Sequence, residues 1–325
     1  MTSPTRWGII ATGGIARSFA EDLALLDDAE LVAVGSRTAE SAEAFGKRFH
    51  VRNRHASYEA LVEDPDVDAV YVSTPHPGHH AAARLAIEAG KAVLVEKPFT
   101  MDAAEAEDLI AAARAKNVFL MEAMWSRWLP HMVEVRRIVE SGRLGEIVSI
   151  TAEHGQWFAH DPEFRLFKPE LGGGALLDLG VYPISFASML LGAPKTITAA
   201  SSPAFTGVDA QTSMIFTYEG ATHAVLTTTS YALTANAAAV NGTQARLSIA
   251  GTFYRPSTVR VIDRTGRELE RIDPDVPGNG LRFEAAEVGR CLRAGLTESP
   301  VLTLDETLSI MRTMDEVRRQ IGLTY

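Results

Sequence analysis

The sequence contains a single cysteine, Cys291, among 325 residues. One thiol cannot form a disulfide within the chain, and such scarcity is typical of proteins that work in the reducing cytoplasm. Cys291 lies in an amphipathic stretch, RFEAAEVGRCLRAG, which favours a buried packing residue over a reactive nucleophile.

Basic residues and long apolar runs are also scarce. The 31 lysines and arginines are outnumbered by 41 aspartates and glutamates, giving a net charge of −10. This balance argues against a nucleic acid or an anionic membrane as the partner and leaves a small molecule. We expect the longest apolar stretches to be too short to cross a bilayer. The opening, MTSPTRWGIIATGG, lacks the basic, apolar and cleavage regions of a signal peptide.

The length exceeds the usual size of one hydrophobic core, so we expect two domains, residues 1–124 and 125–325. In the first, apolar runs alternate with alanine-rich helical segments, which predicts an α/β fold with a doubly wound parallel sheet. Gly90 stands where a helix would end before the next strand. The predicted strands are Trp7–Ile10, Leu31–Val34, Ala69–Val72, Ala92–Val95 and Val118–Met121.

The second region is different in character. After a predicted helix over 130–141, alternating segments separated by turn signals predict an α+β domain with a large, mostly antiparallel open sheet. A helix is predicted around Leu176–Leu191, and the tail from Gly280 is helical, which leaves open whether it packs back on the first domain. The predicted strands cover 146–155, 196–202, 212–220, 222–231, 243–251 and 257–269.

The segment RWGIIATGGIARSFA runs from the first strand into a small-residue turn and a helix. This is where a dinucleotide-binding fold has its phosphate loop, so we predict cofactor contacts along this turn. In the motif G-x-G-x-x-G/A, an alanine replaces the first glycine, and its methyl is tolerable only if φ is negative there. A plain glycine-rich turn is the alternative. The residues concerned are Ala11, Thr12, Gly13, Gly14, Ile15 and Ala16.

The second strand ends in Ser36, Arg37 and Thr38, with no carboxylate before Glu40. An NAD-selective site normally has an acid here for the ribose diol. Arg37 can pair with a 2′-phosphate and stack on adenine, and the two hydroxyls can donate. We therefore predict NADP as the cofactor, with NAD still possible.

The strand Ala69–Val72 leaves the sheet through STPHPGHH, at the edge where open α/β sheets bind ligands. We predict cofactor contacts from Ser73, Thr74, Pro75, His76 and His79. The histidines lack a second cluster of ligands at metal spacing, so we predict no metal, and helix capping or contact with ribose is favoured instead.

The strand Ala92–Val95 ends at the same edge in Glu96, Lys97 and Pro98. Lys97 would therefore reach toward the nicotinamide half of the cofactor, where an ammonium can polarise a hydroxyl or carbonyl. We predict Glu96 and Lys97 as cofactor contacts, Lys97 also as a catalytic residue, and a cis Lys97–Pro98 bond. A surface ion pair between the two charges is the alternative.

A second constellation is ELGGGALLDLGVYPISFASMLLG, in which Asp178 and Tyr182 are four residues apart on a helix. A nearby ammonium stabilises a phenolate, so Tyr182 could accept the proton of an alcohol while its hydride leaves. Asp178 would orient the substrate hydroxyl. The alternative for Tyr182 is a core aromatic packed with Phe186.

Further candidates lie close to these motifs. Trp125 and Arg127 follow the last strand of the first region and could wall the nicotinamide pocket and bond to cofactor or substrate oxygens. Core packing explains Trp128 equally well, and His154 has no assigned role. Possible substrate-pocket residues before the glycine run are Phe158, His160, Arg165 and Phe167.

Taken in order, the Rossmann loop, STPHPGHH, EKP and GGG…DLGVY resemble the Gfo/Idh/MocA oxidoreductases over essentially the whole chain. FLMEAMWSRWLP, RLFKPELGGGALLDLGVYPI and SRT resemble the branch of dimeric dihydrodiol dehydrogenases and NADP-dependent D-xylose dehydrogenases. The resemblance implies Lys97 as the catalytic lysine, Asp178 as the acid and Tyr182 as the proton relay, where many relatives have histidine. It also implies an open sheet that packs against a partner subunit, hence a homodimer or larger homo-oligomer.

These observations predict a cytoplasmic NAD(P)-dependent dehydrogenase of a sugar or cyclic diol. Three alternatives stay open: a redox-neutral glycosidase, a sugar dismutase that retains its cofactor, and a non-catalytic dinucleotide sensor. An intact lysine and tyrosine count against the sensor.

Overall fold

The structure, a computed structural model, describes residues 3–325 and divides into two compact units. The first unit contains the described residues up to Trp125 together with Pro277–Leu308. The second contains Ser126–Val276 and Ser309–Tyr325. A segment from the second half of the chain, 277–308, thus belongs to the first unit.

A six-stranded parallel sheet forms the centre of the first unit, in the order β3-β2-β1-β4-β5-β6. Its inner strands are buried throughout because helices cover both faces, which explains their unbroken apolar runs. The short β3 has too few apolar residues to give a strand signal. The strands are β1 (Thr5–Ile10), β2 (Ala29–Gly35), β3 (Asn53–His55), β4 (Ala69–Val72), β5 (Ala92–Glu96) and β6 (Leu120–Ala123).

The helices of this unit have residues at their two ends that favour helix starts and stops. Side chains of Thr38, Ser57 and Asp102 accept hydrogen bonds from amides in the first turn of the helix that each precedes. Gly90, with φ +75°, follows the helix His79–Glu88, as predicted. The helices are α1 (Gly14–Leu23), α2 (Ala39–Phe49), α3 (Tyr58–Val62), α4 (His79–Glu88), α5 (Ala103–Lys116) and α8 (Arg282–Arg293).

Helix α8 joins the first unit through a buried carboxylate. Asp22 on α1 accepts hydrogen bonds from the backbone amides of Asn279 (2.8 Å) and Leu281 (2.6 Å), just before α8 begins. A carboxylate at a helix N-terminus satisfies amides that have no partner within the helix. Cys291 on α8 is fully buried, as expected for a packing residue, and burial raises the pKa of its thiol to about 12.

The second unit is built on an eight-stranded sheet in the order β14-β13-β12-β11-β7-β10-β9-β8. Among the described strands of this sheet only the pair β7–β10 is parallel, so the prediction of a mostly antiparallel sheet is confirmed. The strands are β7 (Ile147–Gly155), β8 (Thr196–Pro203), β9 (Asp209–Thr217), β10 (His223–Thr229), β11 (Ala238–Gly242), β12 (Ala245–Ile249), β13 (Val259–Asp263) and β14 (Glu268–Ile272).

Two strand predictions in this unit were wrong. Residues 257–269 are not one strand, because Asp263 accepts bonds from the amides of Thr265 and Arg267 and closes a turn between β13 and β14. The strand β11 went unnoticed because it ends in Asn241-Gly242, a pair that favours turns.

One face of this sheet is covered and the other is open. Met214, Phe216 and Leu226 point inward and are almost fully buried, whereas Ile215 and Val225, which pair across β9 and β10, are nearly half exposed. The helices of this unit are α6 (Pro130–Glu140), α7 (Val181–Leu191) and the end of α9 (Leu304–Ile321).

The predicted helix over Leu176–Leu191 has two parts. Leu176–Gly180 is one π-helical turn, and α7 follows directly at Val181. The longer stretch Pro169–Leu191 is apolar enough and long enough to cross a bilayer, which corrects the expectation from the sequence, but 78% of its most apolar window is buried inside the protein. A core helix accounts for it.

Candidate active site

The turn after β1 places Ala11 in the left-handed conformation. Its φ is +75°, so the negative φ under which its methyl would be tolerated without strain is not met. Its amide donates to the carbonyl of Gly35 (2.9 Å), which holds the chain against β2 while it turns. The left-handed conformation costs about 1–2 kcal/mol for a residue with a Cβ. The position therefore has the geometry for which relatives of the motif use glycine.

The N-terminus of α1 fits an anion. Gly13 precedes the helix without a side-chain cap, and its first turn carries no acidic residue. A Cβ placed on Gly13 or Gly14 would meet nothing within 4 Å. Free amides at a helix N-terminus together with open space above them suit a pyrophosphate. Thr12 and Ile15 line this turn and Ala16 is buried beneath it.

The end of β2 presents one exposed cation. Ser36 is buried, and its amide donates to the carbonyl of His55 (3.1 Å). Arg37 is exposed, and Thr38 uses its hydroxyl oxygen to accept from the amide of Ser41 (3.2 Å) as the N-cap of α2. Thr38 thus has a structural role, and its contact with a cofactor stays a prediction.

The end of β4 lies against β1. The hydroxyl of Ser73 donates to the carbonyl of Ile10 (2.7 Å), and Pro75 is exposed at the exit. The buried hydroxyl of Thr74 has no hydrogen-bond partner within residues 3–325. An orphaned hydroxyl at this edge of the sheet is consistent with a ligand in the position predicted for the cofactor.

His79 ties two strand ends together. Its ring is 1% exposed, with Nδ1 2.8 Å from the carbonyl oxygen of Pro98 and Nε2 2.9 Å from that of Thr74. Burial lowers the pKa of His79 to about 4, so one nitrogen donates and the other lies against a carbonyl without donating. His76 is also buried and meets the ring of His79 edge-on. These contacts orient the loop, and a contact of either ring with ribose stays a prediction.

Glu96, Lys97 and His79, here called the strand-end cluster, meet at the end of β5. Glu96 is buried and accepts from the hydroxyl of Tyr71 and from the amide of Lys97 (3.1 Å), so it is not the exposed residue that a surface ion pair requires. Lys97 is partly buried, and the Lys97–Pro98 bond is cis, as predicted. The carboxylate thus fixes the backbone from which the lysine projects.

A second carboxyl lies deeper in the first unit. Glu284 on α8 is fully buried, and neither of its oxygens has a hydrogen-bond partner among the described residues. Burial raises its pKa well above the ordinary value, and the charges of Glu96, Asp22 and Glu122 raise it further. Glu284 is therefore neutral where an ordinary glutamate is ionised. Nothing in the sequence indicated the burial of Glu284, because a glutamate on an amphipathic helix normally faces water.

In the second unit, Asp178 is held by an arginine. One nitrogen of Arg165, Nη2, lies 3.1 and 3.0 Å from the two oxygens of Asp178. Asp178 is 5% exposed, whereas the side chain of Arg165 is about half exposed. The pair joins two residues that the sequence named separately as substrate contacts.

Tyr182 belongs to a group of three rings, here called the ring cluster: His154, Tyr182 and Tyr254. The His154 ring lies 5.1 Å from that of Tyr182 and 3.9 Å from that of Tyr254, and the two tyrosines are 4.8 Å apart. Nδ1 of His154 donates to the carbonyl of Leu179 (3.2 Å) in the π-helical turn. Its Nε2 accepts from the amide of Gln156 (2.9 Å).

Two contacts of the His154 ring agree on one tautomer. A carbonyl accepts and Nε2 of Gln156 donates, so both contacts fit a ring that carries its proton on Nδ1. The sequence missed His154 and Tyr254 as neighbours of Tyr182. The alternation of β7 shows that His154 points to the covered face, but nothing local predicts Tyr254, which comes from a loop 72 positions further along.

The remaining candidates are packed in different ways. Trp125 is buried in the first unit, and Trp128 is buried in the second. Arg127 is buried and donates from Nε and Nη2 to the hydroxyl (3.0 Å) and carbonyl (2.9 Å) of Ser185 on α7, so its predicted bonds to cofactor or substrate stay a prediction. Phe158 and His160 lie in an aromatic group with Phe164, Phe167, Phe205 and Tyr231.

Within residues 3–325, no group of three or more histidines, cysteines or acids could hold a metal.

Two family models match the chain. The oxidoreductase family model with an NAD-binding Rossmann fold covers residues 5–124, and the GFO/IDH/MocA C-terminal domain model covers 132–252. The chain belongs to the Gfo/Idh/MocA oxidoreductase family. The matches account for the parallel sheet at the N-terminus and for most of the antiparallel sheet.

Relatives in this family match along their full length. The trans-1,2-dihydrobenzene-1,2-diol dehydrogenase of Xenopus tropicalis is 37% identical, with 99% of each chain covered. The D-xylose 1-dehydrogenase (NADP(+)) of Hypocrea jecorina is 36% identical, with 98% of this chain and 93% of the relative covered. The crystal structure of the aldose-aldose oxidoreductase from Caulobacter crescentus, complexed with glycerol, is 25% identical with a TM-score of 0.89, and 98% of each chain is covered.

The family and these full-length relatives make the protein an NAD(P)-dependent dehydrogenase that acts on a CH–OH group.

Proposed function

We propose that the protein is an NADP-dependent dehydrogenase whose substrate is a sugar or a cyclic diol. The observation that carries the proposal is the full-length similarity to two dehydrogenases whose substrates both have adjacent oxygen-bearing carbons. The strand-end cluster and the Asp178–Arg165 pair supply polar groups suited to hydroxyls.

NADP is favoured by the end of β2. Arg37 is exposed there and has no acidic neighbour before Glu40, so its guanidinium can pair with a 2′-phosphate. The amides at Gly13 and Gly14 would hold the pyrophosphate, and Ser36, Ser73 and Thr74 would line the rest of the dinucleotide. When bound, the nicotinamide takes up or returns the hydride.

The proton is assigned to the protein. Tyr182 accepts the proton of the substrate hydroxyl, Lys97 stabilises the phenolate by its charge, and Asp178 orients the hydroxyl. Trp125, Phe158 and Arg165 border the substrate. Glu96 fixes the backbone of Lys97, and Arg165 fixes the carboxylate of Asp178.

The test compares Lys97→Ala, Tyr182→Phe and the double variant on a panel of aldoses, cyclic polyols and trans-dihydrodiols. If both groups serve one proton transfer, each single change lowers kcat by about 10²–10⁴-fold and the double variant is little worse than either. Lys47→Ala, an exposed lysine of the same unit, is the control. A full kcat in Lys97→Ala would overturn the assignment.

The cofactor is tested separately by fluorescence titration. Arg37→Ala should weaken NADP binding by about tenfold or more, as expected for a lost charge-assisted hydrogen bond, and weaken NAD binding less, because only stacking on adenine is shared by the two. Equal loss for both dinucleotides would contradict the role of Arg37 in reading the 2′-phosphate.

A second candidate is an aldose dismutase that retains its cofactor. The aldose-aldose oxidoreductase from Caulobacter crescentus favours it, since its fold matches this chain along its whole length. Protein purified without added dinucleotide would then carry NADP(H), and equal amounts of reduced and oxidised sugar would form without net change in cofactor. An empty purified protein that needs added NADP would exclude it.

We also propose that the open sheet face pairs with a second copy of the chain in the cytoplasm. Ile215 and Val225 form an exposed apolar pair in the middle of this face. Ile215→Glu should shift the mass measured by light scattering from dimer to monomer, whereas Leu25→Glu, at an exposed leucine of the first unit and away from this sheet, should not.

A further inference from the structure

The glycine run before Asp178 is packed tightly in the second unit. Gly173 donates to the carbonyl of Lys168 (3.0 Å) and Gly174 to that of Leu166 (2.7 Å). A Cβ on Gly173 would lie 2.6 Å from the carbonyl oxygen of Leu166. The run is therefore a closely fitted turn and not the flexible approach to a helix that three glycines suggest.

Asp209 at the start of β9 holds the helix that follows this run. Its Oδ2 accepts from the backbone amide of Leu176 (2.8 Å), the first residue of the π-helical turn, and from the hydroxyl of Thr212 (2.9 Å). Its Oδ1 has no hydrogen-bond partner among the described residues and lies 2.2 Å from where a Cβ of Gly174 would be. A buried carboxylate thus occupies the space that the missing side chain leaves.

Tyr325, four residues beyond α9, holds the same run from another direction. Its hydroxyl donates to the carbonyl of Gly173 (2.6 Å) and lies 3.3 Å from the same Cβ position of Gly174. The guanidinium of Arg318 lies 4.9 Å from the centre of the Tyr325 ring. Burial and the charge of Asp209 raise the pKa of Tyr325, so the hydroxyl keeps its proton and goes on donating.

We propose that Asp209 and Tyr325 are positioning residues, which hold Gly172–Gly174 and the first turn of the π-helix and thereby set where Asp178 and Tyr182 lie. The inference rests on the proposed function for the roles of those two residues. The bonds of Asp209 to Leu176 and of Tyr325 to Gly173, here called the clamp, can be tested without a substrate. The proposed proton transfer uses no group of Tyr325 itself, so its bond to Gly173 acts only by holding the glycine run in place.

The first test compares Tyr325→Phe with Tyr218→Phe. Both remove one hydroxyl from a tyrosine of the second unit, but that of Tyr218 is buried without a hydrogen-bond partner among the described residues, so its loss should be neutral. Tyr325→Phe should speed hydrogen exchange of the amides in 172–180 and lower kcat about fivefold, as expected for one lost hydrogen bond, with the NADP dissociation constant unchanged.

The outcomes separate the two ideas. If Tyr325→Phe behaves like Tyr218→Phe in both exchange and kcat, or changes exchange without changing kcat, the positioning role is overturned. If the wild type oxidises none of the substrates in the panel while Tyr325→Phe still speeds the exchange of 172–180, the proposed function fails and the clamp stands.

The second test uses pH. Burial raises the pKa of Asp209 to about 6, and the titratable groups around it are Tyr325 and, over that ring, Arg318. As the pH falls through 6, Asp209 gains a proton and its bond to the amide of Leu176 weakens, so kcat should fall. Asp209→Asn keeps an acceptor for that amide but cannot titrate, so its kcat should no longer fall as the pH is lowered through 6. An unchanged acid limb in Asp209→Asn would contradict the role of Asp209.

Discussion

The strand-end cluster and the ring cluster place their candidate catalytic groups in different ways. At the end of β5 the position of Lys97 is set mainly by the backbone, because Lys97 follows a buried strand and its own amide donates to the carboxylate of Glu96. Tyr182, by contrast, is surrounded by side chains from β7 and from a distant loop. A strand end can be located from local sequence, whereas a cluster of side chains depends on how remote segments meet.

The largest effect is expected where the ring cluster's helix begins. Gly174 has φ +106°, and a Cβ there would lie 2.2 Å from Asp209 Oδ1. Gly174→Ala should therefore lower the free energy of unfolding by about 3 kcal/mol or more. Gly220→Ala also has a positive φ but open space around it, and should cost only about 1 kcal/mol. Chemical denaturation measures both, and equal losses would show that the clash is relieved.

The next effect concerns the Asp178–Arg165 pair. Arg165→Ala removes a charged hydrogen bond from the nearly buried carboxylate of Asp178, so we expect kcat/KM to fall roughly 10- to 100-fold, the range for such a bond. Lys168→Ala, which removes an ion pair with the exposed Glu163 in the same segment, should leave kcat/KM nearly unchanged. Similar losses in both variants would mean that the segment, and not the pair, is being disturbed.

A smaller effect is expected beneath the strand-end cluster. Because the folded-state pKa of Glu284 is raised, its contribution to stability is fully present below the ordinary glutamate pKa and is lost as the pH rises through the folded value. Glu284→Met should thus be more stable than wild type at neutral pH by about 1–3 kcal/mol.

That gain should shrink as the pH is lowered, which thermal unfolding at several pH values can follow. Glu284→Gln keeps an unpartnered polar group and is the matched control for the change in volume. A gain in Glu284→Met that does not depend on pH would mean that Glu284 is not the titrating group.

The smallest effect is expected at the end of β2. Thr38→Ala removes the N-cap of α2 and should cost about 1 kcal/mol of stability in the absence of cofactor. Asp102→Ala removes the corresponding cap of α5 and should cost a similar amount. A loss of NADP affinity in Thr38→Ala alone would show that this hydroxyl also meets the cofactor.

The sequence predicted the first region well because its signals are local. Apolar runs, cap residues and Gly90 each act within a few positions, and β1, β2, β4, β5 and β6 were all found. The φ of Ala11 was left open by the sequence because the bond to Gly35 on β2 holds it, and that partner is 24 positions away. Local rules state what a residue prefers and not what a neighbouring strand imposes.

The second region was predicted in outline only. Alternation gave most of its strands and the glycine run marked the helix of Asp178, but the π-helical turn was missed, since its bonding depends on partners such as His154 and Asp209. Tyr254, Tyr325 and Glu284 carry no local signal. Each is a common residue type whose role depends on which distant residues it contacts, and the spacing of residues along the chain does not indicate those contacts.

The single cysteine of the chain has a practical consequence. Its thiol is fully buried on α8 in the first unit and its pKa is raised to about 12, so alkylating reagents at neutral pH meet neither an accessible sulfur nor a thiolate. Labelling can proceed only when α8 opens. The rate at which Cys291 is alkylated, measured by mass spectrometry, therefore reports how often the dinucleotide-binding unit opens, and bound cofactor should lower that rate.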